Sequence, residues 1–329
     1  MAILVTGSAG HLGEALMRTL RDSGEQARGI DILPSEFTDA VGSVYDRDFV
    51  RESVCGARIV LHAATLHKPH VATHTNQEFV DTNISGTLML LEEAVAAGID
   101  AFIFTSTTSA FGAALTPAAG EPAAWITEDV PPIPKNIYGV TKVAAESLCE
   151  LFARKQGLPV LILRTSRFFP EADDDPAVSG AYELANAQAN EMLYRRVDIE
   201  DVVAAHLLAM RKAPQIGFGR YIISATTAFS REDLAELRRD APRVVSRLFP
   251  DCATLYAVRQ WQMFPQVDRV YVNQLAVREL GWRPRYDFRH VLESLKGGQD
   301  FRSTLARQVG TKGYHPDGSS ASRPRAARK

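Results

Sequence analysis

The stretch Ala2-Ile3-Leu4-Val5-Thr6-Gly7-Ser8-Ala9-Gly10-His11-Leu12-Gly13, continued to Asp31, decides the fold. Ala2 to Val5 is a short apolar run that suits a strand buried on both faces. Gly7, Gly10 and Gly13 follow in a G-x-x-G-x-x-G turn. Glu14 to Asp22 carries Ala15, Leu16 and Leu20 at helical spacing, and Gly24 can close that helix. Ala27 to Ile30 starts a second strand, which ends at Asp31. A turn this tight needs residues without a Cβ. It also lets a pyrophosphate approach the backbone, where Gly7, Ser8, Gly10, His11, Leu12 and Gly13 face the free N–H groups and positive end of a helix. An acid at the end of the second strand accepts from two ribose hydroxyls and repels a 2′-phosphate, so the expected dinucleotide is NAD rather than NADP.

From this start the pattern repeats. Ala40–Tyr45 is a possible short strand, and Asp46 is placed to cap a helix to about Cys55. Arg58–Leu61 and Ala101–Thr105 read as strands, with a long helix from Asn76 to Ala97 between them. Residues 112–136 read as a loop rich in Pro, Gly and Ala. A helix at Tyr138–Gln156 and a strand at Pro159–Leu163 follow. Alternation of this kind predicts an α/β fold: a doubly wound parallel sheet (Rossmann) with a smaller, mostly helical C-terminal substrate part. The dinucleotide domain takes residues 1–165 with help from about 196–224. The substrate part takes 166–195 and 225–309, with expected helices at about Ile199–Lys212, Val272–Leu280 and Phe288–Arg307 and a further strand at Gly219–Ser224. Residues 310–329 read as a disordered tail. The polar clusters His62–Thr65, Ser106–Ser109 and Arg164–Arg167 all fall at the C-terminal edge of the strands, where such sheets bind ligands.

Composition narrows the function class. A net charge of −2 argues against a nucleic-acid binder. No apolar run reaches membrane-spanning length, and the N-terminus enters a strand at once without a signal-peptide pattern. Cys55, Cys149 and Cys252 are odd in number and far apart, which points to a reducing compartment without disulfides. The expectation is a cytoplasmic enzyme.

Tyr138-Gly139-Val140-Thr141-Lys142 places a phenol and an ammonium four residues apart, on one helical face. A cation beside a phenol favours phenolate, which would make Tyr138 a general base for a substrate hydroxyl. Lys142 can also hold the nicotinamide ribose, and Thr107 can hold the same substrate oxygen. His67, in a histidine-rich loop with His70 and His74, is the best candidate of that loop to line the site. Metal ligation is the weaker reading of these histidines, and no metal is expected.

With these motifs in view, the chain resembles the extended short-chain dehydrogenase/reductases, in particular the NAD-dependent epimerase/dehydratase group, over about residues 2–300. The resemblance rests on Thr6–Gly13, Asp31, His62-Ala63-Ala64, Asn83–Thr87, Thr105-Ser106-Thr107 with Phe111-Gly112, Thr127-Glu128-Asp129, Tyr138–Lys142, Val197–Val202 and Glu279–Pro284. It implies catalytic roles for Thr107, Tyr138 and Lys142, with Ser106 in place of Thr107 if the register is off by one. It implies NAD contacts at Gly7, Gly10, Gly13, Asp31, Ala63, Ala64 and Asn83 and in the segment after Arg164. Thr65, His67, Thr105, Ser106 and Thr165 are expected beside them, together with Tyr138 and Lys142. Ser43 and Val44 stand where the family usually places an adenine-binding Asp.

Two departures bear on substrate. Arg167 replaces the usual Asn, and the segment between Pro170 and Arg195 is short and contains Asp173–Asp175. Arg167 and Arg196 are expected either to bind an anion or to form ordinary ion pairs. The expected substrate is a small carbohydrate-like molecule. The family's habit of pairing helices equivalent to 76–97 and 138–156 implies a homodimer. The functional alternatives are an epimerase or dehydratase that recycles NAD, a net dehydrogenase of a smaller sugar or sugar acid, and a non-catalytic NAD-sensing module. An intact Thr107, Tyr138 and Lys142 argue against the last.

Overall fold

The computed structural model describes residues 2–172 and 175–312. Of the expected disordered tail, 310–329, residues 310–312 are ordered, with Lys312 held by Glu171 and Glu14; the rest, with its basic residues Arg323–Lys329, and Asp173 and Asp174 lie outside the described residues. The strands are β1 (Ile3–Thr6), β2 (Ala27–Asp31), β3 (Ala40–Val41), β4 (Ile59–His62), β5 (Ala101–Thr107), β6 (Ala124–Ile126), β7 (Val160–Thr165), β8 (Phe218–Ile223) and β9 (Arg269–Tyr271). The helices of the first half are α1 (His11–Asp22), α2 (Arg47–Val54), α3 (Asn76–Val80), α4 (Gly86–Ala96) and α5 (Ile137–Gln156). Those of the second half are α6 (Pro176–Ala181), α7 (Leu184–Glu191), α8 (Ile199–Ile216), α9 (Leu234–Leu237), α10 (Ala241–Leu248), α11 (Cys252–Val258), α12 (Gln274–Leu280), α13 (Phe288–Lys296) and α14 (Thr304–Val309).

Seven strands form one parallel sheet in the order β3-β2-β1-β4-β5-β7-β8. Central strands of a parallel sheet are covered on both faces, which is why β1, β4 and β7 are buried along their whole length. On one face Leu12, Leu16, Leu20, Val202, Ala209 and Trp282 bring α1, α8 and the segment after α12 onto the sheet. On the other, Val50, Leu90, Leu91, Ala145 and Cys149 bring α2, α4 and α5. A separate apolar cluster of residues from 123 to 301, including Phe229, Val244, Phe264 and Phe288, holds the C-terminal helices together. No helix among the described residues is long and apolar enough to cross a membrane.

Several elements differ from the sequence reading. The helix expected over 76–97 is interrupted by a π turn at Asp81–Ser85, a distortion common at functional sites. Within that turn Asn83 reaches out to the loop after β4. β5 runs two residues further than expected, because Ser106 and Thr107 pair in register with Arg164 and Thr165 of β7. Residues 124–126, read as loop, form β6, whose parallel partner β9 lies more than 140 residues away in the chain. The helix expected over 288–307 is two helices, separated at Gly297-Gly298, where Gly298 takes φ +67°.

Candidate active site

The glycine turn is built by close backbone approach. A Cβ on Gly13 would lie 1.8 Å from the Gly7 carbonyl oxygen, and one on Gly7, at φ +76°, would lie 2.7 Å from the Ala64 nitrogen. Gly10 is different: a Cβ there meets only the Gly7 oxygen, at 3.3 Å. Gly10 is also the N-cap of α1 and makes no side-chain cap, so the first-turn N–H groups carry the helix's positive end outward. Asp31 closes the turn from the side. Its carboxylate accepts from the Ala9 N–H at 3.0 Å and from the Leu33 N–H at 2.9 Å. The donor set, the bare helix terminus and the carboxylate fit an adenine dinucleotide, with Gly10, His11 and Leu12 at its pyrophosphate and Asp31 at its adenosine ribose. Ser43 and Val44 follow β3 on the same edge. Val44 is buried against Gly86, and the Ser43 hydroxyl accepts from the Tyr45 N–H.

The next strand end is set by buried polar groups. His62 lies between Thr6 Oγ1 at 2.7 Å and Thr87 Oγ1 at 3.0 Å, and burial pulls its pKa down to about 3, so the ring is neutral. Thr6 Oγ1 also accepts from the Ala64 N–H. Ala63, Ala64 and Thr65 are thus held beside the glycine turn. Asn83 fixes the loop that follows: its amide oxygen accepts from Thr65 Oγ1 and the Leu66 N–H, and its NH2 donates to the Leu66 carbonyl and Thr141 Oγ1. With all of these groups engaged, Asn83 shapes the wall through other residues.

Thr107, Tyr138 and Lys142 meet at the end of β5 and the start of α5, all buried. Thr107 lies near enough to the Tyr138 phenol to act on its pKa, and Thr107 Oγ1 accepts from the Ser109 N–H. Lys142 donates to the Thr105 carbonyl at 2.7 Å and sits 4.0 Å above the Phe104 ring. The neighbouring Ser106 hydroxyl turns away to Glu146, donating to Oε1 at 2.6 Å. Thr105 and Thr165 are also engaged within the protein, Thr105 Oγ1 with His206 Nε2 and Thr165 Oγ1 with the Ser106 carbonyl.

The expected lowering of the phenol pKa is corrected here. Burial pushes Tyr138 up to about 12, the Thr107 hydrogen bond opposes this, and burial pulls Lys142 down to about 7. Desolvation disfavours both charges, and the ammonium turns toward the strand carbonyl. In this form the phenol is a proton donor, and burial works against the charge of the ammonium.

The segment after β7 crosses the glycine turn. The Phe169 ring lies 5.4 Å from both His11 and His67, and Glu171 accepts from His11 Nε2 at 2.8 Å. Burial opposes charge on Glu171, yet His11 and the Lys312 N–H hold its pKa down to about 2. His67 therefore lines this clamp, where burial keeps it neutral with a pKa of about 3.

The two arginines divide. Arg196 takes the ion-pair alternative: it is buried, donates to Glu191 Oε2 at 2.8 Å and to the Phe169 carbonyl at 2.9 Å. Arg167 stands two residues beyond Thr165, the β7 partner of Thr107, and its guanidinium donates to the Glu171 and Ala172 carbonyls. Glu191 collects Arg195 at 2.6 Å and Arg196, with Arg167 at 3.8 Å. The sequence reading missed Phe104, Glu146, Phe169, Glu171 and Glu191. For Glu146 a signal existed, since it falls four residues after Lys142. For Glu191 one existed too, since it falls four residues before Arg195; the others depend on contacts distant in the chain.

Comparison with known proteins follows this geometry. A family model described as NAD dependent epimerase/dehydratase family matches residues 3–223. The uncharacterized protein y4nG of Sinorhizobium fredii is 32% identical over 49% of this chain, which spans only 39% of that relative's length. Sterol demethylase protein B of Methylococcus capsulatus is 30% identical over 68% of this chain and 70% of its own. An L-arabinose 1-dehydrogenase (NAD(P)(+)) of Haloferax volcanii is 34% identical over 49% of this chain and 65% of its own. Among solved structures, the UDP-glucose 4-epimerase of Thermotoga maritima with UDP-glucose has a TM-score of 0.62 at 25% identity, covering 90% of this chain and 96% of that one.

Proposed function

Because the chain belongs to the NAD dependent epimerase/dehydratase family, we propose that it oxidises a hydroxyl of a sugar or nucleotide-sugar-like substrate at Tyr138. The observation that carries this reading is the meeting of Thr107, Tyr138 and Lys142 on the sheet edge that also holds the glycine turn and Asp31. A bound NAD would supply the hydride acceptor for the carbinol carbon. Thr107 and Tyr138 hold the substrate oxygen between them, and Tyr138 passes its proton across that contact. In the reductive direction the phenol donates this proton to the forming hydroxyl, the role that its raised pKa favours. In the oxidative direction the phenolate accepts the hydroxyl proton, and a charged Lys142 lowers the cost of forming it. Lys142 also serves the nicotinamide ribose.

The first reading is an epimerase or dehydratase, in which the hydride returns to the same substrate. The second is a net dehydrogenase of a smaller sugar or sugar acid. The short segment between Pro170 and Arg195 favours it, with Arg167 near the β7 end as the group for an acidic substituent, as does the likeness to the L-arabinose dehydrogenase. Tyr138→Phe is expected to lower turnover by a factor of about 10³ to 10⁴ while sparing NAD binding, measured on sugars, sugar acids and UDP-glucose by product formation and NADH absorbance. Full turnover in that variant overturns the mechanism. Retained NAD without net NADH favours internal redox, and steady NADH favours the dehydrogenase. The α5 surface bears exposed Val140 and Leu151. In this reading the surface pairs with that of a second copy, and a sizing experiment showing a monomer removes the dimer.

A further inference from the structure

Helix α5 carries Tyr138, Lys142, Glu146, Glu150 and Arg154 at successive four-residue steps. Because four residues overshoot a helical turn by about 40°, such a row winds around its helix. Lys142 and Glu146 are buried under β5, while Glu150 and Arg154 emerge toward solvent. Glu146 is 2% exposed and its carboxylate is fully engaged. It accepts from Ser106 Oγ at 2.6 Å, from Arg164 Nε at 3.0 Å and from Arg164 Nη2 at 2.7 Å, and Arg220 Nε approaches to 3.1 Å. Ser106 is the residue directly before Thr107, and Arg164 is its partner in β7. Arg164 also lies 4.8 Å from the Phe111 ring, in the loop that leaves β5.

A buried carboxylate held by two arginines is expensive to desolvate, and an apolar cluster of the same volume often serves stability as well. Its place offers a reason for keeping it. The groups that act electrostatically on Lys142 are His62 and His67 from the β4 side and Cys149 and Glu146 from its own helix. On β5 it donates to the Thr105 carbonyl and lies over the Phe104 ring. Burial keeps both histidines and the Cys149 thiol neutral, which leaves Glu146 as the negative charge of that set.

We propose that Glu146 is a positioning residue of the catalytic site: its carboxylate is the counter-ion of the Lys142 ammonium and, through Ser106, the anchor of the strand end that carries Thr107. The inference rests on the reading of Tyr138 and Lys142 given above, but its test does not depend on turnover. Arg164 and Arg220 oppose the charge of Glu146, and Glu150 offsets Arg220 in turn, so the ammonium feels only part of the Glu146 charge.

The test is a proton titration of Lys142 by NMR, in full-length protein saturated with NAD and carrying 13C at lysine Cε, with the resonance assigned by its loss in Lys142→Arg. Glu146→Gln keeps the shape and removes the charge, and is expected to lower the Lys142 midpoint by about one pH unit, the scale of one partly screened charge at this separation. Glu146→Asp restores the charge and is expected to return the midpoint most of the way. Arg220→Met, at a half-buried site that leaves the Arg164 pair intact, is expected to raise it, and gives a second reading if Glu146→Gln does not fold. An unchanged midpoint in Glu146→Gln, an equal fall in Gln and Asp, or no rise in Arg220→Met overturns the proposal. Loss of turnover in Tyr138→Phe alongside unshifted titrations would leave the catalytic reading standing and remove only this one.

Discussion

The turn at residues 7–13 and the arginine cluster at residues 167–196 face the same cleft but are built in opposite ways. In the turn, each contact joins residues a few positions apart or on adjoining strands: Gly13 against Gly7, Asp31 against Ala9, Gly7 against Ala64. In the cluster, one carboxylate, Glu191, takes Arg195 and Arg196 from the chain just after it, while Arg167 and the Phe169 carbonyl join them only when the segment after β7 meets the chain entering α8. The turn is steric and local, so a motif encodes it. The cluster is electrostatic and only partly local: the four-residue step from Glu191 to Arg195 is a spacing rule, but the place of Arg167 and the second bond of Arg196 are set by the fold.

The sharpest way to break this contrast is at its electrostatic side. Glu191→Ala leaves the buried Arg196 guanidinium without its carboxylate and should cost about 3–5 kcal/mol of stability in chemical denaturation. A loss below about 1 kcal/mol would mean that Arg196 swings to solvent and remains available to an anion. On the steric side, Gly13→Ala drives a methyl into the Gly7 carbonyl and should cost about 3 kcal/mol or more. Gly10→Ala meets only one atom, at 3.3 Å, and should fold nearly normally while weakening NAD binding about tenfold or more, read by calorimetry. Equal effects of the two substitutions on folding would erase the distinction between a glycine kept for packing and one kept for ligand approach.

Acid separates the regions further. His62 and His206 are buried with pKa values lowered to about 3 and about 4. The unfolded chain therefore binds more protons than the folded one below the unperturbed histidine value, and stability falls as pH drops through about 6.5 toward 4. Between pH 7 and pH 5 each histidine should contribute a loss of about 2 kcal/mol, measured as a shift in denaturation midpoint, and His206→Gln should flatten the slope. The smallest expected effect is at the ribose acid. Asp31→Asn should weaken NAD about tenfold, about 1.4 kcal/mol, and narrow the preference over NADP.

Much of this was legible in advance. The alternation of strands and helices, the position of every strand in the main sheet, and the placement of Thr107, Tyr138 and Lys142 at its C-terminal edge follow from local apolar periodicity and glycine chemistry. The choice between Ser106 and Thr107 was not legible, because it depends on Glu146 occupying the Ser106 hydroxyl. Nor was the state of the phenol: spacing along α5 brings Lys142 to the right face, but the Thr105 carbonyl and the depth of burial set where its charge goes.

By itself the sequence determined the parallel sheet and the dinucleotide turn, because each depends on steric rules that act over a few residues. Tertiary structure alone decided the pairing of β6 with β9, the clamp of Phe169 and Glu171 over His11, and the reach of Arg196 to the Phe169 carbonyl. Those contacts join residues that the chain holds far apart, and the energy of a buried charge depends on what surrounds it after folding.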